Sequence, residues 1–322
     1  MRLRSWLLSI LAASIATALI AAMVRSAGFT ASDFTSLLFQ VRPLPLLLFG
    51  IATSLHILLA AEKWRLVQAR LELRLPGRRE AFAFSAIGTA LGQLLPIPVA
   101  SAASRALGNR LVGEASARSG AIASVWEQLF DLGVMTLLLP ASVFALITGS
   151  ASLFAALGIP ALILGGILVT LASRCLQLVR SVPLAFVRRA ADTLGESNLL
   201  DRTLSMRLYL LSLCRFVTLW AMCLALNWML EWPAPSLAFA IGLPVVVLGS
   251  VLTMLPGGLG ASEWSYVTTM TTFGTPLPQA VSWAFANRLW NTQVSLLIGA
   301  VAMVLILRRP HLPRSARVSC SH

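Results

Sequence analysis

The chain has 322 residues, of which 57% are hydrophobic and only 11% charged, with a net charge of +13. A soluble domain carries about 25% charged residues, so this composition excludes an ordinary water-soluble enzyme and points to a polytopic membrane protein. The apolar runs are long, continuous and rich in Leu and Ala. That excludes a β-barrel, whose strands alternate over short segments, and leaves helices, which satisfy their own backbone in lipid.

The first predicted helix is 6–24, preceded by Arg2 and Arg4. Its basic start, apolar run and small residues also describe a signal peptide; its length favours an uncleaved first span. A second helix is expected at 44–61. Residues 62–80 hold six basic residues and read as a cytoplasmic, partly amphipathic loop. Residues 81–95 are apolar but meet "PIP" (Pro96 to Pro98) too early to span comfortably. Arg105, Arg110 and Arg118 follow. Apolar stretches cover 119–146 and 152–173. The segment 174–207 again holds six basic residues, and part of it suits the membrane interface. Helix six is expected at 208–230, a proline-terminated apolar stretch at 236–255, and the last helix at 281–307. A basic tail, 308–322, ends the chain.

Loop charges orient these segments. Basic loops face the cytoplasm, and 231–280 contains no Lys or Arg at all. The main basic loops fall inside if 81–110 and 236–280 are re-entrant and both termini are cytoplasmic. Arg25 and Arg42 are the exceptions. The expected fold is therefore an all-α polytopic membrane protein. It has about six full transmembrane helices plus two re-entrant helical hairpins, forming one integral membrane domain over 1–322.

The two hairpins look related. "LGQLLPIPVASAASRALG" and "VLTMLPGGLGASEWSYVT" each run from apolar residues through Leu-Pro to small residues and a charge. Asp131 stands 35 positions after Pro96, and Asn291 stands 35 positions after Pro256. The surrounding stretches "SVWEQLFD" and "WAFANRLWN" both put polar residues in an apolar helix. With opposite entry sides this is an inverted repeat, about 81–146 and 236–307. In transporters, Gly/Pro-interrupted segments of such repeats mark the binding site.

The break "MLPGGLGASEW" concentrates the candidate chemistry. Pro256 ends one half-helix, and Gly257, Gly258 and Gly260 permit a tight turn or close approach. A new half-helix starting near Ala261 offers N–H groups to an anion such as a lipid phosphate. Glu263 is either a capping group or the partner of Arg288, which is costly in the last apolar helix unless paired or hydrated. That pair either fixes the hairpin or serves a headgroup. Glu127 and Asp131 share one helical face, suited to binding a cation, relaying a proton or pairing with Arg105. Glu127 could instead lie at headgroup level. Snorkelling to the interface is the alternative for Arg105 and the expectation for Arg215. Trp126, Trp264, Trp283 and Trp290 are candidate interface anchors.

The four cysteines, Cys175, Cys214, Cys223 and Cys320, have no C-x-x-C spacing, and the three histidines are isolated. No metal, haem, prenylation or nucleotide motif is present, so no cofactor is expected. No basic soluble domain offers a nucleic-acid surface; the arginines suit anionic lipid headgroups instead.

Arg105 after the first break, the "WEQLFDL" helix and above all "LPGGLGASEW" resemble the flippase-like membrane region of lysylphosphatidylglycerol synthase. The resemblance covers about residues 5–308. Stand-alone members of that family include some associated with hopanoid or other isoprenoid-lipid pathways. The resemblance implies binding and transbilayer movement of a lipid or lipid-linked headgroup in the inner membrane, with Arg105, Asp131, Glu263 and Arg288 as functional positions. The chain stops soon after the last helix, so the aminoacyl-transferase domain of the synthase, and with it aminoacylation, is not expected. The first break reads "PIPVAS" rather than a glycine-rich turn. Two other readings stand beside translocation: a non-transporting partner of a lipid-modifying enzyme, and a membrane-embedded lipid transferase using Asp131 or Glu263 as base.

Overall fold

A computed structural model describes residues 41–72, 77–112, 116–180, 201–231 and 234–308, together with single positions between 21 and 35. The expected first helix, most of the 174–207 loop and the basic tail lie outside the described residues. Every regular element among the described residues is helical. In chain order they are α1 (Pro43–Glu72), α2 (Arg78–Leu91), α3 (Ile97–Val112), α4 (Ala117–Thr148), α5 (Ala151–Arg180), α6 (Arg202–Leu230), α7 (Ser236–Thr253), a 3-10 turn (Pro256–Gly258), α8 (Ala261–Thr272) and α9 (Leu277–Leu307).

Six of these are long and apolar enough to cross a membrane: α1, α4, α5, α6, α7 and α9. The set differs from the expected six, since α7 belongs to it and segment 6–24 is outside the described residues. By contrast α2 has 14 residues and α3 has 16. At 1.5 Å per residue each reaches only about 21–24 Å, short of the roughly 30 Å hydrocarbon core.

The largest correction concerns 62–80. The helix does not stop at the first charges but continues as α1 to Glu72. Thr53, Ile57, Ala60, Ala61, Trp64, Val67 and Gln68 are buried along it. That stripe at helical spacing packs against α6, α2 and α4 and carries the helix through the basic stretch. α6 also starts earlier than expected. Asp201 caps it, accepting from the Leu204 N–H at 3.2 Å, and pairs with Arg70 of α1 at 3.1 Å. At the other end of these two helices Arg42 pairs with Glu231.

Two helices act as long struts. α4 packs on α3 through its first half, where Gly120 lies against the Arg105 carbonyl and Asn109. Through its second half, Leu138, Ala141 and Ala145 join Ala240 and Ile241 of α7. α9 repeats this with the partners exchanged. Its first half meets α8, with Trp283 against Tyr266 at 4.9 Å between centroids. Its second half meets α2, where Gly299 lies against Ala86 and Ala90, and Ala302 clusters with Ala83 and Ala86. Large apolar side chains such as Leu47, Ile51, Ile147, Ile163, Leu297 and Leu305 point outward, as a lipid-facing surface requires.

Candidate functional site

The Gly/Pro break between α7 and α8 is built from positive backbone angles. Met254, Gly257, Gly258 and Gly260 have φ of 50°, 55°, 70° and 80°. Glycine is required here for space as well as conformation. A Cβ on Gly258 would lie 2.3 Å from Ser250 Oγ, and one on Gly257 would lie 2.5 Å from an Arg288 guanidinium nitrogen. Pro256 opens the 3-10 turn, where its missing N–H costs nothing.

Glu263 is both of the things the sequence left open. Its Oε2 accepts from the Gly260 N–H at 2.7 Å, which makes it the return half of a capping box at the start of α8. The same oxygen accepts from Ser262 Oγ at 2.9 Å. Its Oε1 accepts from Arg288 Nε at 2.7 Å, and Arg288 Nη1 donates to the Gly257 carbonyl at 2.7 Å. Arg288 therefore grips the break at two points. Its side chain retains 20% exposure, against 4% for Glu263. The Gly260 N–H is already taken by the protein's own carboxylate, so a phosphate arriving there would compete with Glu263.

The two breaks meet. The Gly257 N–H donates to the Leu95 carbonyl at 3.3 Å. Thr292, one turn beyond Arg288 on α9, donates to the Gln93 side chain at 3.2 Å. Asn291 is half-buried beside this junction and accepts a long contact from Ser295 at 3.5 Å.

A second charged cluster joins α1, α3, α4 and α6. Arg105 of α3 and Glu127 of α4 form an ion pair at 2.6 Å, with side chains only 2% and 1% exposed. Arg105 also donates to Ser124 at 2.9 Å, and its guanidinium lies 5.7 Å from the Trp64 ring, close enough for a cation–π contact. Arg105 therefore does not snorkel to an open surface, and Glu127 is buried inside the protein. A long cation folds inward when a carboxylate, two serines and an aromatic face are waiting there.

Asp131, one turn further along α4, holds two cations. Lys63 reaches one oxygen at 2.5 Å, and Arg215 holds the other. Lys63 is the only lysine in the chain, and it is completely buried. Its remaining donors go to the Glu127 carbonyl and to Ser212 Oγ, both at 2.7 Å. Arg215 points into the protein rather than snorkelling. Arg215 also contacts His56 Nε2 at 2.7 Å, which fixes that nitrogen as an acceptor. The other ring nitrogen then donates to Thr218 at 3.0 Å, so the ring is neutral. The cluster thus sets three cations against two carboxylates.

Sequence reasoning missed Lys63 and His56 here, and Gln93 and Thr292 at the junction. The available signal was the stripe from Thr53 to Gln68, which placed Lys63 beside buried positions. Trp283 and Trp290 are not interface anchors. Trp283 is fully buried and stacks on Phe239 at 4.7 Å; Trp290 is nearly so. Among the described residues no three or more His, Cys, Asp or Glu side chains converge as a metal site.

The family model described as the lysylphosphatidylglycerol synthase TM region matches residues 6–306. The chain belongs to this family. No curated protein and no solved structure matches it. Within this lysylphosphatidylglycerol synthase TM-region protein, the expected site residues fall into two groups. Pro256, Gly257, Gly258, Gly260, Glu263, Arg288 and Asn291 gather at the junction of the breaks. Arg105, Glu127 and Asp131 belong to the other cluster, sealed by Lys63 and Arg215.

Proposed function

We propose that the protein binds and moves a lipid headgroup across the inner membrane, and that the junction of the two breaks is where the headgroup passes. The observation that carries this is the contact of Gly257 with Leu95, tip to tip, beside the partly exposed Arg288. In this reading α2–α3 and α7–α8 are re-entrant hairpins entering from opposite faces. The exchange of partners along α4 and α9 supports an inverted repeat, since an inversion maps α4 on α3 and α7 to α9 on α8 and α2. The ion pairs Arg105–Glu127 and Glu263–Arg288 occupy matching helices with reversed sign. Membership of a family with lipid chemistry in its description supports a lipid substrate. Acyl or isoprenoid tails stay in the bilayer, and basic loops hold both termini in the cytoplasm.

Lipid scrambling in proteoliposomes tests this, with fluorescent phospholipids and an isoprenoid-linked lipid as probes. Wild type is expected to move at least one probe, and folded Glu263→Gln and Arg288→Gln variants to lose the activity. Folded variants that transport like wild type would remove the pair from the path. A second reading, a partner that docks a lipid-modifying enzyme without transport, draws support from the full internal pairing of Glu263. A wild type that moves no probe favours it.

A further inference from the structure

His56 is the one ionisable side chain of the α1–α4–α6 cluster that is held neutral, and both its ring nitrogens are committed. Nε2 accepts from Arg215 Nη2 at 2.7 Å. Nδ1 faces Thr218 Oγ1 at 3.0 Å, and that hydroxyl gives its own proton to the Arg215 carbonyl at 2.8 Å. The ring proton therefore sits on Nδ1, and the Nε2 lone pair points at a guanidinium. The charged groups that act on the ring are Arg215 of α6, Asp131 of α4 and, about two turns along its own helix, Lys63. α2 also packs on α1, but its charges, Arg78, Arg79 and Glu80, stand at its start, beside the Trp64 end of α1. α9 brings only Arg288, which is engaged at the break.

A proton entering this cluster has one place to settle. Both oxygens of Asp131 are held by cations. Glu127 is closed off at 1% exposure, and Lys63 already donates to Asp131, Ser212 and the Glu127 carbonyl. His56 is only partly buried, and histidine is the side chain that ordinarily changes charge near neutral pH. Protonation at Nε2 turns an acceptor into a donor that faces another donor. It also sets an imidazolium against a guanidinium where cations already outnumber carboxylates. Like charges in contact are disfavoured, most of all in a low dielectric, so one cation has to leave. Arg215 is the least firmly held. The Lys63 and Arg105 side chains are 0% and 2% exposed. Arg215 is 17% exposed, its guanidinium reaches only Asp131 and His56, and its Nε has no acceptor. Its two Nη groups bridge Asp131 Oδ2 and His56 Nε2, so those two acceptors stand side by side.

We propose that His56 is a proton-binding site at which one proton displaces Arg215. The new Nε2–H donates to Asp131 Oδ2, and the guanidinium swings out to its open side, as a long cation can. The charge inside the cluster is unchanged, because an imidazolium replaces a guanidinium. What changes is the tie: the second partner of Asp131 passes from α6 to α1. The site stands whether or not the protein transports lipid, since proton binding alone is asked of it.

The chain with His311→Gln and His322→Gln keeps His56 as its only histidine, which makes the test direct. It is labelled with 15N in the imidazole and with 13C at the arginine Cζ, reconstituted in zwitterionic phospholipid vesicles, and studied by solid-state NMR. At neutral pH the ring is expected to be the neutral Nδ1–H tautomer, with its Nε2 signal dephased by an arginine Cζ. As the pH falls through the histidine range, about 8 to 5, an imidazolium is expected to appear and the arginine dephasing to be lost with it. Arg215→Gln is expected to show no dephasing at any pH, and to form the imidazolium about one pH unit or more higher, because the competing cation is gone. A neutral Nε2–H tautomer at neutral pH overturns the proposal, as does a ring that stays neutral across the range in folded protein. An imidazolium whose arginine dephasing is undiminished overturns it too, since Arg215 would then not have moved. These three outcomes are read with Arg215 in place, so they decide the matter even where Arg215→Gln does not fold.

Discussion

The Arg105–Glu127 pair offers a sharp test of how charge is held in this protein. Its side chains are 2% and 1% exposed, and it is incompletely satisfied: Arg105 Nε and Glu127 Oε2 have no partner. Glu127→Leu leaves a guanidinium buried with only Ser124 and Ser85 as acceptors. Arg105→Met leaves a carboxylate facing the Lys63 end of the cluster. Breaking one partner of a buried pair costs about 3–5 kcal/mol, whereas replacing both by apolar groups of similar size is close to neutral. At roughly 2–4 °C of midpoint per kcal/mol, the scale for domains of 150–250 residues, each single variant is expected to lose on the order of 6–20 °C. Arg105→Met/Glu127→Leu together is expected to recover most of that. The assay is the fraction remaining monodisperse after heating in detergent, read by size exclusion across temperatures. A double variant as unstable as the sum of the singles, or singles indistinguishable from wild type, would refute the argument that the pair is held by mutual compensation. A recovered double variant that still scrambles lipid would further separate this sealed cluster from the transport path.

Gly258→Ala is expected to cost at least the roughly 1–2 kcal/mol of a left-handed non-glycine residue, with more from the clash against Ser250. Gly50→Ala, in open space within α1, is expected to be neutral or to stabilise by about 0.5–1 kcal/mol; the same heating assay ranks the two. Lys63 makes the chain its own unfolding reporter. An amine-reactive ester is expected to leave Lys63 unmodified in the native protein and to label it once the fold is lost, as read by peptide mass spectrometry. Labelling of Lys63 in the native state would show that its amine is not held by Asp131 and Ser212.

Much of this protein is legible in one dimension. Long apolar runs dictate helices because lipid offers the backbone no other partner. The sequence also located both breaks, since Pro and Gly interrupt helices wherever they fall. Glu263 and Arg288 stood out because isolated charges in an apolar chain must find each other or water. What the sequence could not decide was the direction of each long cation. The same Arg or Lys beside a membrane interface can snorkel or fold inward, and the outcome depends on partners from distant helices. Lys63 reads as a loop residue until Asp131 of α4 and Ser212 of α6 are seen around it. Arg215 reads as interfacial until the same carboxylate claims it. Helix existence is a local property, set by neighbours three and four residues apart. Charge placement is a tertiary one, because a buried ion is stable only where other segments bring it an opposite charge.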